Sequence, residues 1–163
     1  MHDDWAARIE AIWDDDALSD ESRLERIDAV AAERPAGDPL ALFERGGARD
    51  AAGLEADAAP LYRAALDGGL DDVHRPQAVI QLASTLRNLG LADEAVGMLR
   101  AELARRPASP LHDEASAFLA LALVSVGRER EAASVALRTL APHLSRYTCS
   151  VASYAEELGE DTA

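Results

Sequence analysis

Apolar side chains recur along the chain at the three-to-four-residue spacing of amphipathic helices. Trp5, Ile9, Ile12 and Trp13 would share one face of a first helix, and no segment shows the strict alternation of a half-buried strand. The pattern therefore predicts an all-α protein. The predicted helices lie near residues 4–13, 21–34, 39–52, 55–67, 74–89, 93–105, 111–126, 129–141 and 143–158.

A repeat with a period of 37 residues underlies the six central helices. Each copy has a small residue in its first helix, a glycine seven residues later and an alanine five residues after that. The three sets are Gly46, Gly53 and Ala58; Ala83, Gly90 and Ala95; and Ala120, Gly127 and Ala132. A glycine after a helix adopts the left-handed conformation that ends it, and small residues let two helix backbones come close. The repeat therefore predicts three helix hairpins.

Residues that typically start or end helices agree with this division. Asp38 and Ser109 each precede a proline, a pattern that places a capping side chain before the first turn of a helix. Pro142 would end or kink the eighth helix.

Charge and composition exclude several classes of protein. The formal net charge is −14, and all 16 basic residues apart from histidine are arginines. A protein that binds nucleic acid or anionic lipid needs a basic surface, so neither partner is expected. Cys149 is the only cysteine, which rules out an intramolecular disulfide, and its position predicts a buried or half-buried structural thiol. The first residues resemble no signal peptide, so the predicted location is cytoplasmic.

No constellation of residues points to chemistry. The four histidines are scattered, no pair has metal-ligand spacing, and no nucleophile elbow or phosphate-binding glycine loop occurs. The sequence therefore predicts no catalytic residue, no metal site, no cofactor and no enzyme activity.

The order of Gly46, Gly53, Ala58, Tyr62 and Ala65 resembles the unit of the tetratricopeptide repeat family. In the third copy Ala136 replaces the aromatic residue, and the period exceeds the usual length of about 34 residues. The stretch 77–90 resembles that of a small group of such proteins typical of GC-rich actinobacteria.

The resemblance implies a right-handed α-solenoid of about three hairpins. The repeats would lie near residues 38–70, 74–107 and 110–142, with a capping helix at 143–158, all within a repeat domain of residues 36–163. Residues 1–35 would form amino-terminal helices that pack on the solenoid.

The resemblance also implies a concave groove lined by the first helix of each repeat, and hence a protein- or peptide-binding scaffold. The predicted binding residues are Gln77, Gln81, Ser84, Arg87, Asn88, Phe118 and Arg146. In the third repeat Ala117, Leu121 and Val124 would accompany Phe118 in the groove.

Several alternatives stay open from the residues alone. The polar stripe from Gln77 to Asn88 suits backbone pairing with a peptide, but it equally fits an ordinary solvated helix face. Phe118 fits a core position as well as a groove. Trp5 and Trp13 fit the core or, with the last helix, the contact of a self-assembling homodimer.

Overall fold

The computed structural model describes the backbone of residues 2–160 and the side chains of residues 4–159. The backbone in that range forms nine α-helices and one 3-10 helix, with no β-strand, which confirms the all-α prediction. The α-helices are α1 (His2–Trp13), α2 (Asp20–Ala31), α3 (Pro39–Ala51), α4 (Glu55–Asp67), α5 (His74–Asn88), α6 (Ala92–Leu103), α7 (His112–Ser125), α8 (Glu129–Leu140) and α9 (Thr148–Glu160), and the 3-10 helix is Ala141–His143.

The chain folds into two compact units that meet in sequence at Thr85 and Leu86. In the first unit α1 packs on α2, α2 on α3, and α3 on α4. In the second unit α6 packs on α7, α7 on α8, and α8 on α9. Within each unit these helices therefore pack against their neighbours in sequence, as expected of a helical repeat.

Trp5 is a core residue of the first unit, and Trp13 is a half-buried residue packed against that core. Trp5 is buried, its Nε1 donates to the carbonyl oxygen of Val30 at 2.9 Å, and the guanidinium of Arg34 lies 3.9 Å from the ring centroid. Trp13 Nε1 donates to Glu44 Oε2 at 2.7 Å. Burial raises the pKa of Glu44, although the bond from Trp13 opposes that shift. These contacts tie α1 to α2 and α3 and support the interpretation of Trp5 as a core residue.

The predicted glycine turns are present in all three hairpins. Gly53, Gly90 and Gly127 have φ values of 71°, 79° and 73°, in the left-handed region. After Gly90 the amide of Leu91 donates to the carbonyl of Leu86 at 2.8 Å, and the other two turns make the equivalent bond. These bonds satisfy carbonyl groups that the end of each helix leaves free.

Replacement of Gly90 by valine tests the turn directly. A Cβ at this position meets nothing within 4 Å, so the expected loss comes only from forcing a branched residue to positive φ. We expect Gly90→Val to lower the free energy of unfolding by about 1–2 kcal/mol, measured by urea denaturation. Gly90→Asn is the control, because asparagine tolerates this conformation, and it should lose less. Equal stability of the valine variant and the parent protein would contradict the turn.

The predicted cap at Asp38 and the predicted end of α8 before Pro142 are confirmed, whereas the predicted cap at Ser109 and the predicted start of the last helix are wrong. Asp38 caps α3 as predicted, with its carboxylate accepting from the amide of Ala41 at 2.9 Å. Ser109 does not cap α7, because that helix begins only at His112. The last helix begins at Thr148 instead of residue 143. Pro142 lies in the 3-10 helix, the chain is extended at Leu144, and Tyr147 has a φ of 65°.

Candidate functional site

An open groove runs between α7 and α8 in the second unit, with a volume of about 670 Å³. Its exposed apolar side chains are large: Leu121, Val124 and Leu140 keep 47%, 52% and 49% of their surface in solvent. The residues that line the groove are Asp113, Ala117, Ala120, Leu121, Val124, Glu129, Ala132, Ala133, Ala136, Thr139, Leu140 and His143.

The sequence of α7 explains why apolar groups remain exposed here. The helix is apolar on nearly every side, so one face packs inward through Ala115, Leu119 and Leu123 while Leu121 and Val124 stay outside. An amphipathic surface helix has a polar outer face instead. The exposed apolar side chains on the outer face of α7 are therefore not covered within the described part of the second unit.

Carboxylates lie at the two ends of this groove. Asp113 is in the first turn of α7 and Glu129 is in the first turn of α8. The two helices form a hairpin, so their first turns are at opposite ends. His143 Nε2 lies 3.0 Å from Asp113 Oδ2, and both side chains are more than half exposed. An apolar floor with an acidic group at each end suits an apolar ligand that carries positive charge beyond its apolar part.

The predicted binding residues of α5 do not form one continuous surface within a unit. Gln77, Gln81 and Ser84 are half-buried in the first unit. Gln81 Oε1 is buried and has no hydrogen-bond partner among the described residues. Arg87 and Asn88 belong to the second unit, where Arg87 Nη2 lies 3.4 Å from Asn88 Oδ1.

Phe118 and Arg146 are not part of the groove. Phe118 is half-buried on α7, and Arg146 is exposed in the connection that leads to α9. The residues predicted to accompany Phe118, namely Ala117, Leu121 and Val124, do line the groove. Three of the residues predicted for the third-repeat groove thus form its α7 wall, and the residues of its α8 wall were not predicted. The available signal was Ala136, a small residue at the position that Tyr62 and Leu99 hold in the earlier repeats.

The thiol prediction was wrong, because Cys149 is exposed. The late start of α9 leaves Cys149 in its first turn, where few side chains can cover it. Among the described side chains no group of three or more histidine, cysteine, aspartate or glutamate residues is placed to hold a metal ion. Within that same part of the chain, no helix is both long and apolar enough to cross a membrane.

Helices that pack in sequence order, with hairpins closed by left-handed glycines, define an α-helical repeat protein. A family model described as tetratrico peptide repeat matches residues 39–158, and the chain belongs to that family. Searches of curated proteins and of solved structures found no match.

Proposed function

We propose that this protein is a binding scaffold for another protein or a peptide, and that the α7–α8 groove is its main contact surface. Repeats of this family generally mediate interactions between proteins. The exposure of Leu121, Val124 and Leu140 in one apolar groove carries the proposal. Contiguous apolar surface of this kind usually marks an interaction site, because leaving it in water is unfavourable.

The chemistry of the groove favours binding over catalysis. Its floor is formed by alanine side chains, and its titratable groups, Asp113, Glu129 and His143, belong to helix ends and not to the floor. Asp113 and His143 lie 3.0 Å apart but are more than half exposed, whereas acid–base groups in active sites work where water is excluded. A ligand with apolar side chains would instead bury itself against the floor.

We further propose that the polar residues of α5 contribute contacts as two separate patches. Gln77, Gln81 and Ser84 lie in the first unit, and Arg87 and Asn88 lie in the second. Asn88 is exposed, and Arg87 offers a planar fork for a carboxylate. We also propose a cytoplasmic location, since an exposed free thiol such as Cys149 is best preserved where the environment is reducing.

Affinity capture with matched variants tests the binding function. A Leu121→Asp, Val124→Asp variant places two charges in the groove, while Val73→Asp changes a more exposed apolar residue in the first unit. We expect the groove variant to retain at most about a tenth of the proteins recovered by the parent chain, because each lost apolar contact costs about 1–2 kcal/mol. Val73→Asp should recover them normally.

Two outcomes would count against the assignment of surfaces. Recovery of the same proteins by the groove variant and the parent chain would overturn the proposed groove. An Arg87→Ala, Asn88→Ala variant tests the second α5 patch separately, and unchanged recovery with that variant would remove this patch from the contact surface. Circular dichroism of each variant shows that the helices are intact.

A further inference from the structure

The repeat itself indicates what the α7–α8 groove is shaped to hold. In the first unit the corresponding side of α3 is occupied by α5: the rings of Phe43 and His74 lie 6.0 Å apart, and Thr85 Oγ1 donates to Asp50 Oδ1 at 3.0 Å. Two periods further along the chain, Phe43 and Asp50 correspond to Ala117 and Val124. Those two residues line the open groove.

The second unit shows the same relation on the other wall. On α6, which packs against α7, Val96 and Leu99 are buried. One period later these positions are Ala133 and Ala136 of α8, which line the groove, and Ala136 is exposed. In the earlier hairpin Tyr62 holds the same position as Ala136 and is fully buried. Equivalent positions are thus covered in the earlier repeats and open in the third.

The last helix does not fill this place. It packs on α8 through Ser134, whose Oγ donates to the carbonyl oxygen of Ala155 at 2.6 Å. None of the α9 residues whose side chains the structure describes lines the groove.

We propose that the α7–α8 groove is the binding site for an α-helix of a partner protein, which packs there as the next layer of the repeat. This inference rests on the proposed binding function and specifies the partner. The partner helix carries a stripe of apolar side chains spaced i, i+3, i+4 and i+7, which matches an apolar groove flanked by two helices. It also carries basic residues beyond both ends of the stripe, facing Asp113 and Glu129.

Charge disfavours a second copy of this chain as the occupant. Each copy has a net charge of −14 and no lysine, so two copies repel one another at any distance shorter than the screening length. A basic partner helix is attracted instead.

A designed peptide supplies the probe. It has 16 residues, leucine and alanine in the stripe, glutamine elsewhere and two lysines at each end. One control peptide has the same composition in an order that destroys the stripe, and a second has glutamates in place of the lysines. Fluorescence anisotropy measures binding to the full chain, and circular dichroism measures the helix content that the peptide gains.

Ala136→Leu tests the binding site, because it restores the side chain that α6 carries at this position and so fills the groove. Ala101→Leu is the matched control on an exposed face of α6. We expect the lysine peptide to bind as a helix, and to bind at least about tenfold more weakly to Ala136→Leu, a change of about 1.4 kcal/mol. Binding to Ala101→Leu should match the parent chain.

Several results would overturn the inference. The first is that the lysine peptide does not bind at all. The second is that the peptide without a stripe, or the glutamate peptide, binds as tightly as the lysine peptide. The third is that the lysine peptide binds Ala136→Leu as tightly as it binds the parent chain. If the parent chain dimerises and Ala136→Leu abolishes the dimer, the occupant of the groove is a second copy of this chain and not a partner helix. If the peptide fails while Leu121→Asp, Val124→Asp still abolishes capture of cellular proteins, the inference fails and the proposed function stands.

Discussion

Tyr62→Ala should lower the free energy of unfolding by about 3–5 kcal/mol, the loss typical of removing a fully buried aromatic side chain. Tyr62 is 0% exposed and packs between α3 and α4, with its ring 6.1 Å from that of Phe43. The residue directly against the ring is Gly46, which has no side chain to fill the space that the ring would leave. Urea denaturation followed by circular dichroism measures the loss.

Tyr62→Phe separates the ring from its hydroxyl group. The hydroxyl is buried near the Asp50 and Glu44 carboxylates, and burial together with these charges raises the pKa of Tyr62. Removing one buried hydroxyl costs about 1 kcal/mol, so the change in unfolding free energy should stay well below that of Tyr62→Ala. A loss as large as that of Tyr62→Ala would contradict the packing described for this hairpin.

Gly46→Ala should lower the free energy of unfolding by about 1–3 kcal/mol, although it adds only one methyl group. A Cβ at this position would lie 2.8 Å from Cδ1 and 2.9 Å from Cε1 of Tyr62, closer than carbon atoms normally approach. The ring is fixed by its buried surroundings, so the helices must separate to admit the methyl group.

Gly97→Ala is the matched control for that experiment. Gly97 also lies inside a helix, but a Cβ there meets nothing within 4 Å. Alanine stabilises an exposed helix relative to glycine, so this variant should gain about 0.5–1 kcal/mol. The two variants are compared by denaturation. A stabilising effect at both positions would show that α3 and α4 are not in the close contact described.

The helices and their turns could be predicted from the sequence because their causes are local. Glycines such as Gly90 end helices through their own backbone freedom, and apolar spacing shows which face of each helix is buried. The start of α9 could not be predicted in this way. It depends on Tyr147 adopting a positive φ, which its residue type does not favour.

The candidate site was only half predictable for a physical reason. Leu121 and Val124 share one face of one helix, so sequence spacing places them together. The opposite wall, with Ala133 and Ala136, becomes a groove only because α9 packs on another side of α8, through Ser134. Sequence spacing carries no information about that choice of side.

Cys149 has a practical consequence for any study of the purified chain. Its exposed sulfur can join two molecules by an intermolecular disulfide once reductant is exhausted. Covalent dimers of this origin would scatter light as a true assembly does, so ageing samples would imitate self-association. Substituting serine at this position, or renewing the reductant, removes the artefact, and the same sulfur accepts a single maleimide dye without further engineering.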